Sequence, residues 1–266
     1  MIEKETIESY LNKGLNFKEI ANELGVNYKT LLRYTKKYEL KSGVGTQGAR
    51  KHKFNEEYFK NIDTEEKAYW LGFIASDGCV YKNSNAWRLQ INLKGSDIEH
   101  LSKLQKAIGS NYKIAEKIVG TSEVCQLKIN SKIICEDLIS LGIVERKSLI
   151  VRMPKIEDNL KRHFIRGYFD GDGNIKNFED KNSRHRYNFN IVGGEEMLNS
   201  INNAMPCTLD LYKLKRVNPI FSLETTSREK LKEIYDFLYK DATVYLERKK
   251  DVFSNLMSRF AEMQRQ

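Results

Sequence analysis

The sequence predicts an α+β protein made by duplication. Two copies of a unit reading helix, two strands, helix, two strands, helix follow a small all-α module. Three observations carry this. The segment Trp87-Arg-Leu-Gln-Ile-Asn-Leu-Lys-Gly-Ser-Asp recurs 98 residues later as His185-Arg-Tyr-Asn-Phe-Asn-Ile-Val-Gly-Gly-Glu, apolar matched to apolar and polar to polar. An apolar helix ending in Asp-Gly also occurs twice, with its acids, Asp77 and Asp172, 95 residues apart. The first 40 residues instead show only helical spacing. The duplication predicts two antiparallel four-stranded sheets related by a pseudo-twofold axis, so that one chain mimics a dimer.

Composition narrows the partner. A chain 40% hydrophobic and 30% charged is globular rather than disordered. A net charge of +9 and a pI near 9.2 favour a polyanion, with nucleic acid first. Cys79, Cys125, Cys135 and Cys207 form no C-x-x-C pair, so a zinc site is not expected and a reducing compartment is. The opening MIEKETIESYLNKG has no unbroken apolar core, and no run approaches the roughly 18 apolar residues of a membrane span. The expectation is a soluble intracellular protein, foremost in the cytoplasm of a bacterium or phage-infected cell, with an organelle left open.

Residues 1–40 begin the series. Ile20, Ala21 and Leu24 share one helical face, Gly25 marks a turn, and Val26, Leu31 and Tyr34 form a second face. Ala21 permits a close helix crossing and Gly25 a positive φ. The pattern predicts a helix-turn-helix whose second helix, about Tyr28 to Tyr38, offers Asn27, Tyr28, Lys29, Thr30 and Arg33 to a major groove. Residues 41–53 follow as a basic, glycine-bearing linker, in which Lys51 and Lys53 are candidate phosphate contacts. Residues 1–53 hold 11 basic and 6 acidic side chains, more than half of the net charge.

The first repeat is assigned to 54–158 and the second to 159–266. In the repeated strand Leu89, Ile91 and Leu93 face one side; Arg88, Gln90 and Asn92 face the other. In the second copy Tyr187, Phe189 and Ile191 oppose Arg186, Asn188 and Asn190. Arg, Gln and Asn pair bidentately with base edges, which favours a base-reading face over an ordinary solvated one. Further landmarks are Leu127-Lys-Ile-Asn-Ser-Lys against Leu223-Glu-Thr-Thr-Ser-Arg, each with a Ser able to cap the next helix, and Glu145-Arg-Lys-Ser against Glu247-Arg-Lys-Lys.

The chemistry sits in Trp70-Leu-Gly-Phe-Ile-Ala-Ser-Asp77-Gly78 and Ile165-Arg-Gly-Tyr-Phe-Asp-Gly-Asp172-Gly173. Gly72 and Ser76, like Gly167 and Gly171, are four apart, so each helix has a small-residue stripe on which the other can pack. Crossing at the pseudo-twofold brings Asp77 and Asp172 side by side at negative helix ends, with Gly78 and Gly173 expected to end the helices in a left-handed conformation. Two such carboxylates call for a cation. Mg²⁺ or Mn²⁺ suits oxygen ligands and phosphodiester hydrolysis.

These motifs resemble the two signature helices of single-chain LAGLIDADG homing endonucleases, over about residues 54 to 255. Asp63-Thr-Glu-Glu-Lys-Ala-Tyr-Trp adds a capping box before the first, as in members carrying a helix-turn-helix. The resemblance implies two saddle-shaped sheets in the major groove of a long, weakly symmetric duplex, both strands being cut to leave 3′ extensions. It implies a monomer acting as a pseudo-dimer, metal held by Asp77 and Asp172 with Gly78 and Gly173 beside them, and activity in intron homing. At the sixth signature position Ala75 stands against Asp170, for which a local hydrogen bond is expected. A strand-end lysine near the scissile phosphate is implied at Lys128, opposite Glu224 in the other copy; Lys213, Lys215 and Arg216 are substitutes there, and Gln90 or Asn188 could position water.

His52, His100, His163 and His185 have no metal-ligand or HNH-like spacing, and most of them are expected at the surface or along the DNA backbone. No Walker loop or Ser-His-Asp grouping is present. The leading expectation is a Mg²⁺-dependent site-specific DNA endonuclease. A transcription regulator on the same fold, which would have lost the acids, and an RNA-binding intron maturase are the alternatives. No splicing-domain residues are evident, so an active intein is not expected.

Overall fold

The computed structural model describes residues 2–13, 15–40, 52–82, 86–144, 151–179, 181, 185–216 and 218–263. The chain divides into two compact units, Met1–Lys53 and Phe54–Gln266.

The first unit is three helices, α1 (Lys4–Asn12), α2 (Phe17–Glu23) and α3 (Tyr28–Lys37), around Ile7, Ile20, Ala21 and Leu31. Asn16 caps α2 in a full capping box with Glu19, and Gly25 takes φ +62° in the turn before α3. Asn27 accepts from the Lys29 amide as the cap of α3, while Tyr28, Lys29 and Arg33 are exposed and Thr30 half-buried. Lys51 lies outside the described residues.

The second unit contains the duplication. Its first half runs α4 (Glu65–Asp77), β1 (Gly78–Lys82), β2 (Trp87–Lys94), α5 (Ile98–Ala107), β3 (Ala115–Val119), β4 (Ser122–Asn130) and α6 (Lys132–Ser140). The second runs α7 (Asp158–Asp172), β5 (Gly173–Glu179), β6 (His185–Gly193), α8 (Glu195–Ala204), β7 (Asp210–Lys213), β8 (Phe221–Thr225) and α9 (Arg228–Tyr239), followed by α10 (Glu247–Met263). Each half makes a four-stranded antiparallel sheet, ordered β1-β2-β4-β3 and β5-β6-β8-β7. Leu89, Ile91, Leu127 and Ile129 of one sheet and Phe189, Ile191 and Leu223 of the other enter a single core with the buried faces of α4 and α7. Ser131 and Ser227 cap α6 and α9.

The ladders correct the repeat alignment. Gly78 pairs with Ile91 and Gly173 with Ile191, and these in turn pair with Leu127 and Leu223. Ile91 therefore corresponds to Ile191, not to Phe189. The second hairpin is longer, β5 having seven residues to the five of β1, so the matching strands slip by two. A slip of two preserves the alternation of faces, and the assignment of polar and core sides survives it.

Two local expectations also change. Thr64 caps α4 alone, by accepting from the Lys67 amide; the third helical residue is Lys67, which pairs with Asp63, so no capping box forms. Gly78 and Gly173 have φ −79° and −90° and pass directly into strands rather than turning left-handed. Glycine is needed there for space: a Cβ would lie 2.7 Å from the Ile74 carbonyl oxygen in one half and 2.5 Å from that of Phe169 in the other.

Candidate active site

Helices α4 and α7 cross face to face through their small residues. A Cβ on Gly72 would meet the Phe164 carbonyl oxygen at 1.9 Å, and one on Gly167 would meet that of Tyr69 at 2.0 Å. One on Gly171 would lie 1.8 Å from Ser76 Oγ, which donates to the Phe73 carbonyl. This packing brings the two helix ends together: Asp77 Oδ2 lies 3.3 Å from where a Gly171 Cβ would be, beside the residue that precedes Asp172.

A cation closes the group. Lys249, at the start of α10, is buried, and its ammonium donates to the carbonyls of Phe169 (2.7 Å), Gly171 (3.2 Å) and Gly173 (2.6 Å). All three N–H donors are thus spent on the end of α7, which carries the negative end of the helix dipole; the Phe169 carbonyl also accepts from the Gly173 amide. Burial lowers its pKa to about 8, against the fields of Asp170, Asp77 and Asp172. Sequence reasoning used Glu247-Arg-Lys249 only as a repeat landmark; its recurrence as Glu145-Arg-Lys147 was the available signal. Lys147 lies outside the described residues.

Asp170 is buried and bonds across the molecule rather than locally. It accepts from the hydroxyls of Tyr69 (2.7 Å) and Tyr239 (2.8 Å) and from the Leu246 amide (2.7 Å). Burial raises its pKa, and those donors together with Lys249 oppose the rise. Tyr69 also meets His100 Nε2 at 2.9 Å. Because the Tyr69 proton goes to Asp170, the imidazole donates through Nε2 and its buried Nδ1 has no partner. His100 is therefore a core residue, not a surface one, and burial lowers its pKa to about 4. His163 is half-buried beside Arg166, whose guanidinium binds Glu65 at 2.7 Å across the helix pair.

The polar sheet faces lie on the strands leaving these helices. On the first, Arg88, Gln90, Asn92 and Lys94 of β2 align with Lys117 of β3 and Gln126, Lys128 and Asn130 of β4. Arg88 donates to Asn130 (3.1 Å) and Lys117 to Gln126 (2.7 Å). On the second, Asn174, Lys176 and Phe178 align with Asn190, Asn188 and Arg186, with Ser222 and Glu224 beyond. Tyr81 opposite Arg88 and Phe178 opposite Arg186 put an exposed aromatic on each face, which the polar pattern alone did not suggest. Lys128 sits opposite Gln90, its pKa lowered by Lys117, by burial and by Arg88; Glu224 occupies the equivalent place opposite Asn190. Lys213 ends β7, while Lys215 and Arg216 lie in the turn after it.

The fold is that of solved LAGLIDADG homing endonucleases. The meganuclease I-SmaMI bound to uncleavable DNA superposes with a TM-score of 0.55 at 14% identity, over 76% of this chain and 92% of that one. I-GzeII in complex with its DNA target gives 0.55 at 12%, over 74% and 91%. I-AabMI bound to uncleaved DNA gives 0.53 at 14%, over 73% and 91%. In sequence, 157 residues are 31% identical to a stretch of the replication factor C small subunit of Methanocaldococcus jannaschii, covering 57% of this chain and 8% of that protein. No protein-family model matches the chain.

Proposed function

We propose that the protein is a site-specific, divalent-metal-dependent DNA endonuclease of the homing type. The observation that carries the reading is the convergence of Asp77 and Asp172 at the crossing of α4 and α7, between two amide- and arginine-bearing sheet faces. The donor set fits Mg²⁺, which is commonly held by one or two carboxylates while water and phosphate oxygens complete its shell. Among the described residues no cluster of three His, Cys, Asp or Glu offers a closed protein cage. When bound, the ion would supply charge stabilisation at the phosphate and a more acidic water.

The chain's own residues do the rest. Gly72, Gly167 and Gly171 allow the approach that aligns the two acids. Lys249 fixes the end of α7, so it positions Asp172 rather than touching substrate. The Gly173 carbonyl expected beside the metal is engaged by Lys249 at 2.6 Å. Lys128 faces the groove and is the candidate cation beside one scissile phosphate. The sheet faces bind the duplex and read its bases, and the exposed side of α3 adds a contact outside the central site.

The test is incubation with the protein's own locus, its gene deleted, in Mg²⁺ or EDTA. Double-strand cutting at one site with Mg²⁺ and none with EDTA is expected. Tight binding without cutting in Mg²⁺ would contradict the proposal and favour a regulator.

A further inference from the structure

The ladder of the second repeat runs further from the helix crossing than that of the first. With Gly78 matched to Gly173 and Ile91 to Ile191, the last pair of β1 and β2, Lys82 with Trp87, corresponds to Asn177 with Tyr187. Strands β5 and β6 continue by two more pairs, Phe178 with Arg186 and Glu179 with His185. The first of these adds a row to the polar face that the β1–β2 ladder does not have. Asn174, Asn190 and Glu224 form the row directly after Asp172, beside the cleavage centre. Phe178 lies four residues beyond Asn174, about 13 Å along an extended strand, and so outside that centre. It is 49% exposed among polar neighbours, Lys176, Asn188 and Arg186. A lone exposed apolar side chain is ordinary on a protein surface. This one stands on a face that the endonuclease reading lays in the major groove, with the exposed, cationic Arg186 directly opposite to draw the row towards phosphates.

We infer that Phe178 is a specificity-determining residue whose ring packs on the 5-methyl group of a thymine in the outer part of the half-site bound by the second repeat. This rests on the endonuclease reading. A phenyl ring gains by covering apolar surface and can neither donate nor accept a conventional hydrogen bond. In the major groove only thymine presents an apolar group; the other bases offer it acceptors or an amino donor, which the ring would strip of water without replacing the hydrogen bond. Because the row extends past the end of the first ladder, this contact has no counterpart there, and the target is not palindromic at this position.

The experiment is binding of the full-length chain in EDTA, which prevents cutting. Selection from randomised duplexes gives the preferred site, and each thymine in it is then replaced singly by deoxyuridine, which lacks only the methyl group. For wild type, one such replacement in the outer part of one half-site is expected to weaken binding about fourfold, the worth of one buried methyl. Phe178→Ala should bind the thymine and deoxyuridine duplexes equally, while Phe178→Leu, which keeps an apolar side chain, should retain part of the difference. Unchanged preferences elsewhere in the site would show that both variants are folded and docked. If Phe178→Ala retains the methyl dependence of every thymine that wild type senses, or wild type senses none, the inference is overturned and the endonuclease reading stands. A wild-type chain that enriches no sequence overturns that reading and the inference with it.

Discussion

Replacing Gly72 with alanine tests whether the site depends on close backbone approach of α4 and α7. The new Cβ would sit 1.9 Å from the Phe164 carbonyl oxygen, which belongs to the main chain of a 15-residue helix and cannot swing aside alone. Reaching ordinary van der Waals separation requires the helices to part by about 1.5 Å. Overpacking of a tight core costs about 1–3 kcal/mol, and the upper end is expected where backbone must move. The same shift displaces Asp77 from Asp172, and misplacing reacting groups by about 1 Å can slow a reaction about 100-fold. Urea unfolding followed by circular dichroism, with cleavage rates on the same samples, measures both effects. Gly25→Ala is the control: its φ is +62° but nothing lies within 4 Å of the added carbon, so a loss of about 1 kcal/mol confined to the N-terminal unit is expected. Gly72→Ala with wild-type stability and cleavage would refute the reasoning.

Three further outcomes are expected. Folded His100 titrates near 4 while the unfolded side chain titrates near 6.5, so the unfolded state takes up the proton first. The contribution of His100 to stability should then be constant above about pH 7 and fall by up to about 1.4 kcal/mol per pH unit between 6.5 and 4. His100→Gln should flatten that slope in urea titrations, and an unchanged slope would contradict the assignment. Deleting residues 1–53 should weaken DNA affinity and lower the salt slope by about one unit for each phosphate that the module neutralises, without moving the cut; an unchanged footprint and slope would show that the module does not touch DNA. In strand-resolved cleavage, Lys128→Met should slow mainly one strand, whereas Lys249→Met should reduce stability and slow the strand served by Asp172. Equal wild-type strand rates with Lys128→Met harmless to both would make Lys128 a surface residue without catalytic effect.

Much of the architecture was legible because its signals are local. Period-two alternation around Leu89 and Phe189 and the paired Asp-Gly helix ends define strands and helices within a few residues of chain. The glycine stripe was legible too, since only close packing explains Gly72, Gly167 and Gly171 at helical spacing. What the sequence hid depends on distant chain. Lys249 reaches α7 from 76 to 80 residues away, and the donors to Asp170 come from residues 69 to 101 positions distant. The register slip between β2 and β6 was invisible because a shift of two leaves every side chain on its own face. The chain direction at Gly78 and Gly173 was misjudged because Asp-Gly commonly signals a turn, whereas here the limiting factor is the space beside the preceding helical turn.

The central claim is that Asp77 and Asp172 together form one metal-dependent hydrolytic centre. Asp77→Asn and Asp172→Asn keep side-chain volume and remove one coordinating charge each, so a single comparison measures it most directly: Mg²⁺-dependent double-strand cleavage beside site binding in EDTA for both variants. Each variant should lose about 100-fold or more in double-strand cleavage while binding its site as tightly as wild type. Either variant cutting both strands at the wild-type rate would contradict the account.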